Sequence, residues 1–177
     1  MAQDSKIVQG ILKDLKATNP SVVLEAIQLN RKEGTAKTFK AMLNTLRDTD
    51  EPAVETAIIQ FLFDLKDEES VPLLIDAIQD EEMSYYQSFF VAAFWQSALD
   101  GSEHINVFVK AAIQGEYMTT LEALTVVENF DSAFSQSDLL EYETDLNEAI
   151  EKEENEDKKA LLISMIEVIR NLPIEGE

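Results

Sequence analysis

An apolar quartet at positions i, i+3, i+4 and i+7 recurs along this chain, starting at Val8, Phe39, Val71 and Ile105, with spacings of 31, 32 and 34 residues. A fifth copy begins at Leu139 and keeps Tyr142 and Leu146, with Glu143 in the remaining place. One quartet marks only a helix with one apolar face. Five at near-constant spacing, with turn residues between them, predict an array of helix pairs. No single pair can bury its own stripe, so each needs neighbours of its kind.

The clearest unit runs from Glu51 to Asp80. Its first helix carries Val54, Ala57, Ile58, Phe61, Leu62 and Leu65 on one stripe, and its second carries Val71, Leu74, Ile75 and Ile78. An acidic turn joins them. The segment from Asn19 to Leu29 lies over Glu51 to Phe61 with a shift of 32, matching Pro20 with Pro52, Val22 with Val54, Ile27 with Ile59 and Gln28 with Gln60. Asn19 reads as an N-cap with Pro20 at the first helical position, where a missing N–H costs nothing. Gly34 reads as a left-handed C-cap, and Thr35 caps the next helix.

The remaining punctuation divides the chain into one domain with units at about 20–48, 51–80, 82–114 and 116–154. Terminal helices are expected over 4–16 (Asp4 to Lys16) and 157–172 (Asp157 to Leu172). A helix from Met83 to Leu99 holds Tyr85, Tyr86, Phe89, Phe90, Phe94 and Trp95 and is apolar on more than one face. The longest loop is expected from Asp131 to Ser137, followed by an acidic helix to about Glu154. Pro173 stops the last helix, and the tail Ile174 to Glu177 is expected to fray.

The run Asp50-Glu51-Pro52-Ala53-Val54, then Ala57-Ile58, Leu62, Leu65 and Ser70-Val71-Pro72-Leu73-Leu74 through Ala77-Ile78 to Asp80, resembles a HEAT-like repeat of the short bacterial type. The likeness is strongest over 19–80 and becomes purely periodic from 116 onward. It implies an all-α fold, a right-handed α–α superhelix or solenoid, and a protein-binding role on the inner face lined by second helices. Units of this family commonly place an Arg after the first-helix Val, where it joins a polar ladder. Here Glu55 follows Val54 and Val23 follows Val22, so apolar packing is expected to hold the stack instead.

Charge narrows the partners. The chain carries a net charge of −21, yet residues 1–50 hold eight Lys/Arg against six Asp/Glu, leaving six bases and 29 acids for the rest. Such a surface repels nucleic acid and anionic membranes and suits a basic protein. The longest apolar run, Phe89 to Trp95, is far too short to span a membrane. The first residues lack a signal-peptide core, which makes a cytoplasmic location the expectation. With no Cys, thiolate chemistry and disulfides are excluded.

No nucleophile, phosphate-loop or metal-binding motif occurs, so neither a cofactor nor a catalytic residue is expected. His104, the only histidine, has no triad partner. The acidic groups around Asp64 and Glu151 read as solvated faces. Two sets of residues are candidates for contact with a partner. Tyr85, Tyr86 and Trp95 are of the types that dominate binding hot spots, although burial of the whole helix as the centre of the stack is the plainer reading, with Trp95 in the core. Lys37, Lys40 and Arg47 share one face of the third helix.

The expected function is therefore a non-enzymatic scaffold or adaptor. A dedicated inhibitor or chaperone of one basic protein is the alternative within binding. An enzyme on a HEAT scaffold, such as a chromophore lyase, is the alternative from another class and rests on fold analogy alone.

Density of negative charge has a direct consequence. Self-repulsion in the compact state falls as counter-ions screen it over roughly 10 Å at 0.1 M. The melting temperature should rise between about 10 mM and about 300 mM NaCl, and a constant or falling value would contradict this.

Overall fold

The computed structural model describes residues 5–97 and 99–176. The expected helix start at Asp4, the final residue of the tail at Glu177, and Ala98 in the aromatic helix lie outside them. Ten α-helices occur among the described residues: α1 (Lys6–Asp14), α2 (Pro20–Glu33), α3 (Ala36–Asp48), α4 (Pro52–Leu62), α5 (Val71–Gln79), α6 (Gln87–Ser97), α7 (Ile105–Gln114), α8 (Tyr117–Glu128), α9 (Gln136–Lys152) and α10 (Glu156–Arg170). Short 3₁₀ segments, Glu68–Ser70, Glu81–Tyr86 and Ser102–His104, lead into α5, α6 and α7. The fold is all-α, and among the described residues the only extended pairing is one bridge between Phe134 and Ile174.

Caps fix where these helices begin. The first helical amides have no partner within the helix and need a side-chain acceptor. Asn19 Oδ1 accepts from the Ser21 N–H at 3.0 Å, with Pro20 at the helix start. Thr35 and Thr38 bond reciprocally: the Thr35 N–H donates to Thr38 Oγ1 at 2.8 Å, and the Thr38 N–H donates to Thr35 Oγ1 at 3.4 Å. The acidic turns serve the same end. Asp67, Asp80 and Asp100 each accept the N–H two residues on, at 3.0, 2.9 and 2.9 Å, and so open the three 3₁₀ segments. The bonds from Ser102 hold the Asp100 carboxyl below its usual range.

The ten helices form two rows. In one, α2, α4, α6, α8 and α10 each pack on the next; in the other, α1, α3, α5, α7 and α9 do the same. Across the rows the closest pairs are α1 with α2, α3 with α4, α5 with α6, α7 with α8, and α9 with α10. These pairs join each expected second helix to the first helix of the following unit. The repeating quartets supply the odd row: Val8, Phe39, Val71, Ile105 and Leu139 are all buried, as are Ile11, Met42, Leu74, Phe108 and Leu146. Glu143, which interrupts the last quartet, is bonded by Arg170 of α10, whose Nε donates to Glu143 Oε1 at 3.0 Å. That bond holds the Glu143 carboxyl below its ordinary range.

Several expectations change. The sequence match at a shift of 32 is not the packing register, because α2 buries Val23 and Ile27 whereas α4 buries Val54 and Ile58. Val22, matched with the buried Val54, and Ile59, matched with the buried Ile27, are only half-buried. Both helices begin at their proline, so the one-residue offset lies within the first turn of the helix.

The aromatic segment is not one helix. Glu81–Tyr86 is 3₁₀, and α6 begins at Gln87. Five successive α6 residues, Phe90 to Phe94, are buried, because α4, α5 and α8 close around them.

The tail is held. The Phe134 N–H donates to Pro173 O at 2.8 Å, and the Glu175 N–H donates to Phe134 O at 3.0 Å. Phe134 in turn ends a ladder of rings through Phe94, Phe108 and Phe130, with centroids 4.9, 5.9 and 6.0 Å apart in that order. Phe134, the one large apolar side chain of the loop, is what anchors the segment.

Gly34 is needed for closeness rather than for handedness. Its backbone is extended, with φ −68° and ψ 158°. A Cβ there would lie 2.4 Å from Asn30 O and 2.5 Å from Asn30 Oδ1. Asn30 is itself a buried polar residue, 3% exposed, whose Oδ1 has no hydrogen-bond partner. Gly34→Ala and Gly34→Asn should both destabilise the fold, by about 1–3 kcal/mol as overpacking does. A left-handed cap would instead tolerate Asn, so a near-neutral Gly34→Asn in urea unfolding would contradict the extended geometry.

Candidate interaction surfaces

The odd row is grooved. Between α1 and α3 lies a cleft of about 690 Å³ bordered by Lys16, Lys37, Lys40, Thr45, Asp48 and Glu51. Lys40 and Arg47 also border the next groove, between α3 and α5, facing Asp76 and Asp80. A third, between α5 and α7, is bordered by Asp80, Glu81 and Lys110. The last, between α7 and α9, has a volume of about 480 Å³ and takes Lys110, Glu141, Asp145, Glu148 and Lys152 into its walls. The structure thus brings Lys37, Lys40 and Arg47 to successive grooves of one face. Along that face the balance of charged side chains shifts modestly: three lysines stand beside two carboxylates in the first groove, and three carboxylates beside two lysines in the last.

Arg47 is already engaged. Its Nε donates to Asp48 Oδ1 at 2.9 Å, and its guanidinium lies 3.7 Å from the Glu82 carboxylate. The bond to Arg47 holds the Asp48 carboxyl below its ordinary range. Both residues are largely solvated, where such pairs contribute little to stability.

The three aromatic candidates divide. Tyr85 is 77% exposed, at the end of the 3₁₀ segment. Tyr86 beside it is buried, and its hydroxyl donates to Glu55 Oε2 on α4 at 3.1 Å. Burial first, and the Glu55 carboxylate second, push the Tyr86 phenol up to about 12.

Trp95 stands nine residues further on, about 13 Å along a helix at 1.5 Å per residue. It is not in the core: it is 42% exposed, and its indole N–H donates to Glu122 Oε2 on α8 at 2.6 Å. The buried run of α6 ends at Phe94, and Trp95 lies 100° further round the helix. Tyr86 and Trp95 therefore serve different helix contacts rather than one groove.

Other polar groups tie neighbours together in ways the sequence did not announce. Arg31 binds Asp64, and its guanidinium lies 5.5 Å over the Phe61 ring, a cation–π arrangement. Thr45 donates to Leu15 O at 3.2 Å, and Ser132 to Ser102 Oγ at 3.2 Å. Lys158 Nζ donates to Ile113 O and pairs with Glu153, both at 3.0 Å. Most of these links join residues about one repeat apart, which is the signal by which they could have been sought.

His104 sits half-buried in the turn before α7. Among the described residues no group of three or more His, Asp or Glu side chains is placed to hold a metal ion. No helix there is long and apolar enough to cross a membrane. Comparison with protein-family models, with curated proteins and with solved structures finds no match to this chain.

Two measurements follow from the aromatic residues. The Tyr86 phenol is raised, so its neutral form is the one the fold favours. That contribution is fully present below the ordinary tyrosine value of about 10 and is lost as pH rises through about 12. Tyr86→Phe should remove one late phenolate step from an ultraviolet titration, and an unchanged titration would contradict the assignment. Trp95, the sole tryptophan, should be quenched readily by acrylamide, and Trp95→Ala should cost under about 1.5 kcal/mol. Blue-shifted, unquenched emission would place it in the core after all.

Proposed function

We propose that this chain is a HEAT-like α-solenoid acting as a non-enzymatic protein-binding module, with a basic protein as its partner along the odd-row face. The solenoid reading is supported by the packing order, in which each helix meets the next of its own row and one across. It is supported too by polar links such as Tyr86 to Glu55 and Thr45 to Leu15, about one repeat apart.

One observation carries the functional reading: the row of grooves between successive odd helices, in the last of which Glu141, Asp145 and Glu148 outnumber Lys110 and Lys152. Repeat arrays present extended surfaces of this kind to partners. Complementary charge steers encounter and selects the partner more than it adds affinity. Lys37 and Lys40 at the opposite end would take acidic groups of the same partner and so fix its direction. A dedicated inhibitor or chaperone would use the same face for one partner only.

Capture from a lysate, followed by mass spectrometry, tests this with three variants in parallel. Glu141→Lys/Asp145→Lys/Glu148→Lys should abolish capture of a basic protein. Lys37→Glu/Lys40→Glu should weaken it, and Gln60→Lys on the even row should leave it unchanged. Loss on Gln60→Lys with both odd-row variants unaffected would contradict the proposal.

A further inference from the structure

A second surface lies on the even row, where Trp95 of α6 meets α8. Helices α6 and α8 carry only two charged residues between them, Glu128 at the end of α8 and Glu122 in its middle, in a chain of which 28% is charged. Around the Glu122 carboxylate the large apolar side chains are not covered. Trp95 is bonded to it, and Met118, one helical turn before it on the same face, is 49% exposed. Tyr117 is exposed beside Met118. Leu121 and Thr125, half-buried, complete the floor.

We propose that this patch docks an amphipathic helix of another protein, one that presents a lysine or arginine among apolar side chains. The chemistry at Glu122 selects that occupant. A carboxylate offers about four acceptor sites, and the Trp95 indole N–H supplies one donor. An apolar partner alone would strip water from the carboxylate and leave it under-bonded, which is costly. A cationic group seated among apolar side chains would bond the second oxygen and lie against the Trp95 ring, where a cation is attracted to the π face. The net charge of −21 draws cations to the surface in general and disfavours a second copy of this chain as the occupant.

The surface is separate from the odd-row grooves, so the two proposals stand or fall independently. A synthetic amphipathic Leu/Lys helix is the probe, with a Leu/Glu helix of the same pattern as its control and Trp95 emission as the readout. At about 150 mM salt the Leu/Lys peptide should shift the emission saturably at one site, and the Leu/Glu peptide should not. Glu122→Gln should weaken binding about tenfold, the scale of one charge-assisted hydrogen bond. Met118→Lys, which leaves the indole–carboxylate bond in place, should abolish it. Glu148→Gln, an acid of the odd row, should change nothing.

Equal affinity in the Glu122→Gln and parent proteins would overturn the proposal. So would equal weakening by Glu148→Gln, which would mean diffuse attraction to an acidic surface. A Trp95 shift that follows the concentration of the chain alone would assign the patch to self-association. A shift with phosphatidylcholine/phosphatidylserine vesicles but not with the peptide would assign it to a membrane. Either result contradicts the helix partner.

Discussion

Everything in this structure depends on one constraint: the apolar stripe of each helix is wider than a single neighbour can cover. Phe39, Met42, Leu43 and Leu46 on α3 are all buried, and they are covered only because α1, α2, α4 and α5 each take part of the surface. Burying such side chains yields about 1.5–3 kcal/mol apiece, far more than any surface ion pair here supplies. The two rows are the arrangement that gives every stripe its neighbours in sequence order. The helices that end the odd row have fewer of them. Accordingly α1 buries only Val8 and Ile11, and α9, with seventeen residues, only Leu139 and Leu146.

Much of this was legible beforehand because the information is local. A quartet needs only helical periodicity, and all five quartets lie on one row. Asn19 and Thr35 could be assigned as caps since their acceptors reach amides two or three residues away. What the sequence concealed depends on distance across the fold. Gly34 is a local exception: it looked like a left-handed cap, yet its backbone is extended and leaves room for Asn30, four residues earlier. The matched prolines suggested a shift of 32 between first helices, whereas the buried valines and isoleucines keep a shift of 31. The tail was expected to fray because its pairing with Phe134 joins segments about forty residues apart, across the α9–α10 pair.

The interaction surfaces were legible in part. Lys37, Lys40 and Arg47 share one face by helical geometry alone, and the structure places grooves on both sides of that face. The aromatic set was harder to place. An apolar helix shows periodicity on every side, so its pattern cannot say which residue emerges; here the emerging residue is Trp95, the first after the buried run Phe90 to Phe94. Glu55, which follows Val54, accepts from the Tyr86 hydroxyl, a polar link between α4 and the segment leading into α6. Apolar packing holds the stack, with such links fixing where one helix lies against the next.

The central claim is that each helix is stabilised by its immediate neighbours rather than by the molecule as a whole. Native-state hydrogen exchange on Leu146→Ala tests it most directly. Leu146 is fully buried in α9, and such a truncation costs about 2–5 kcal/mol. Exchange should quicken in α9, α10 and α7, which α9 touches directly or across its pair, while α1 to α3 keep the protection they have in the parent protein. An equal loss of protection in all ten helices would show one globally cooperative unit and contradict the account.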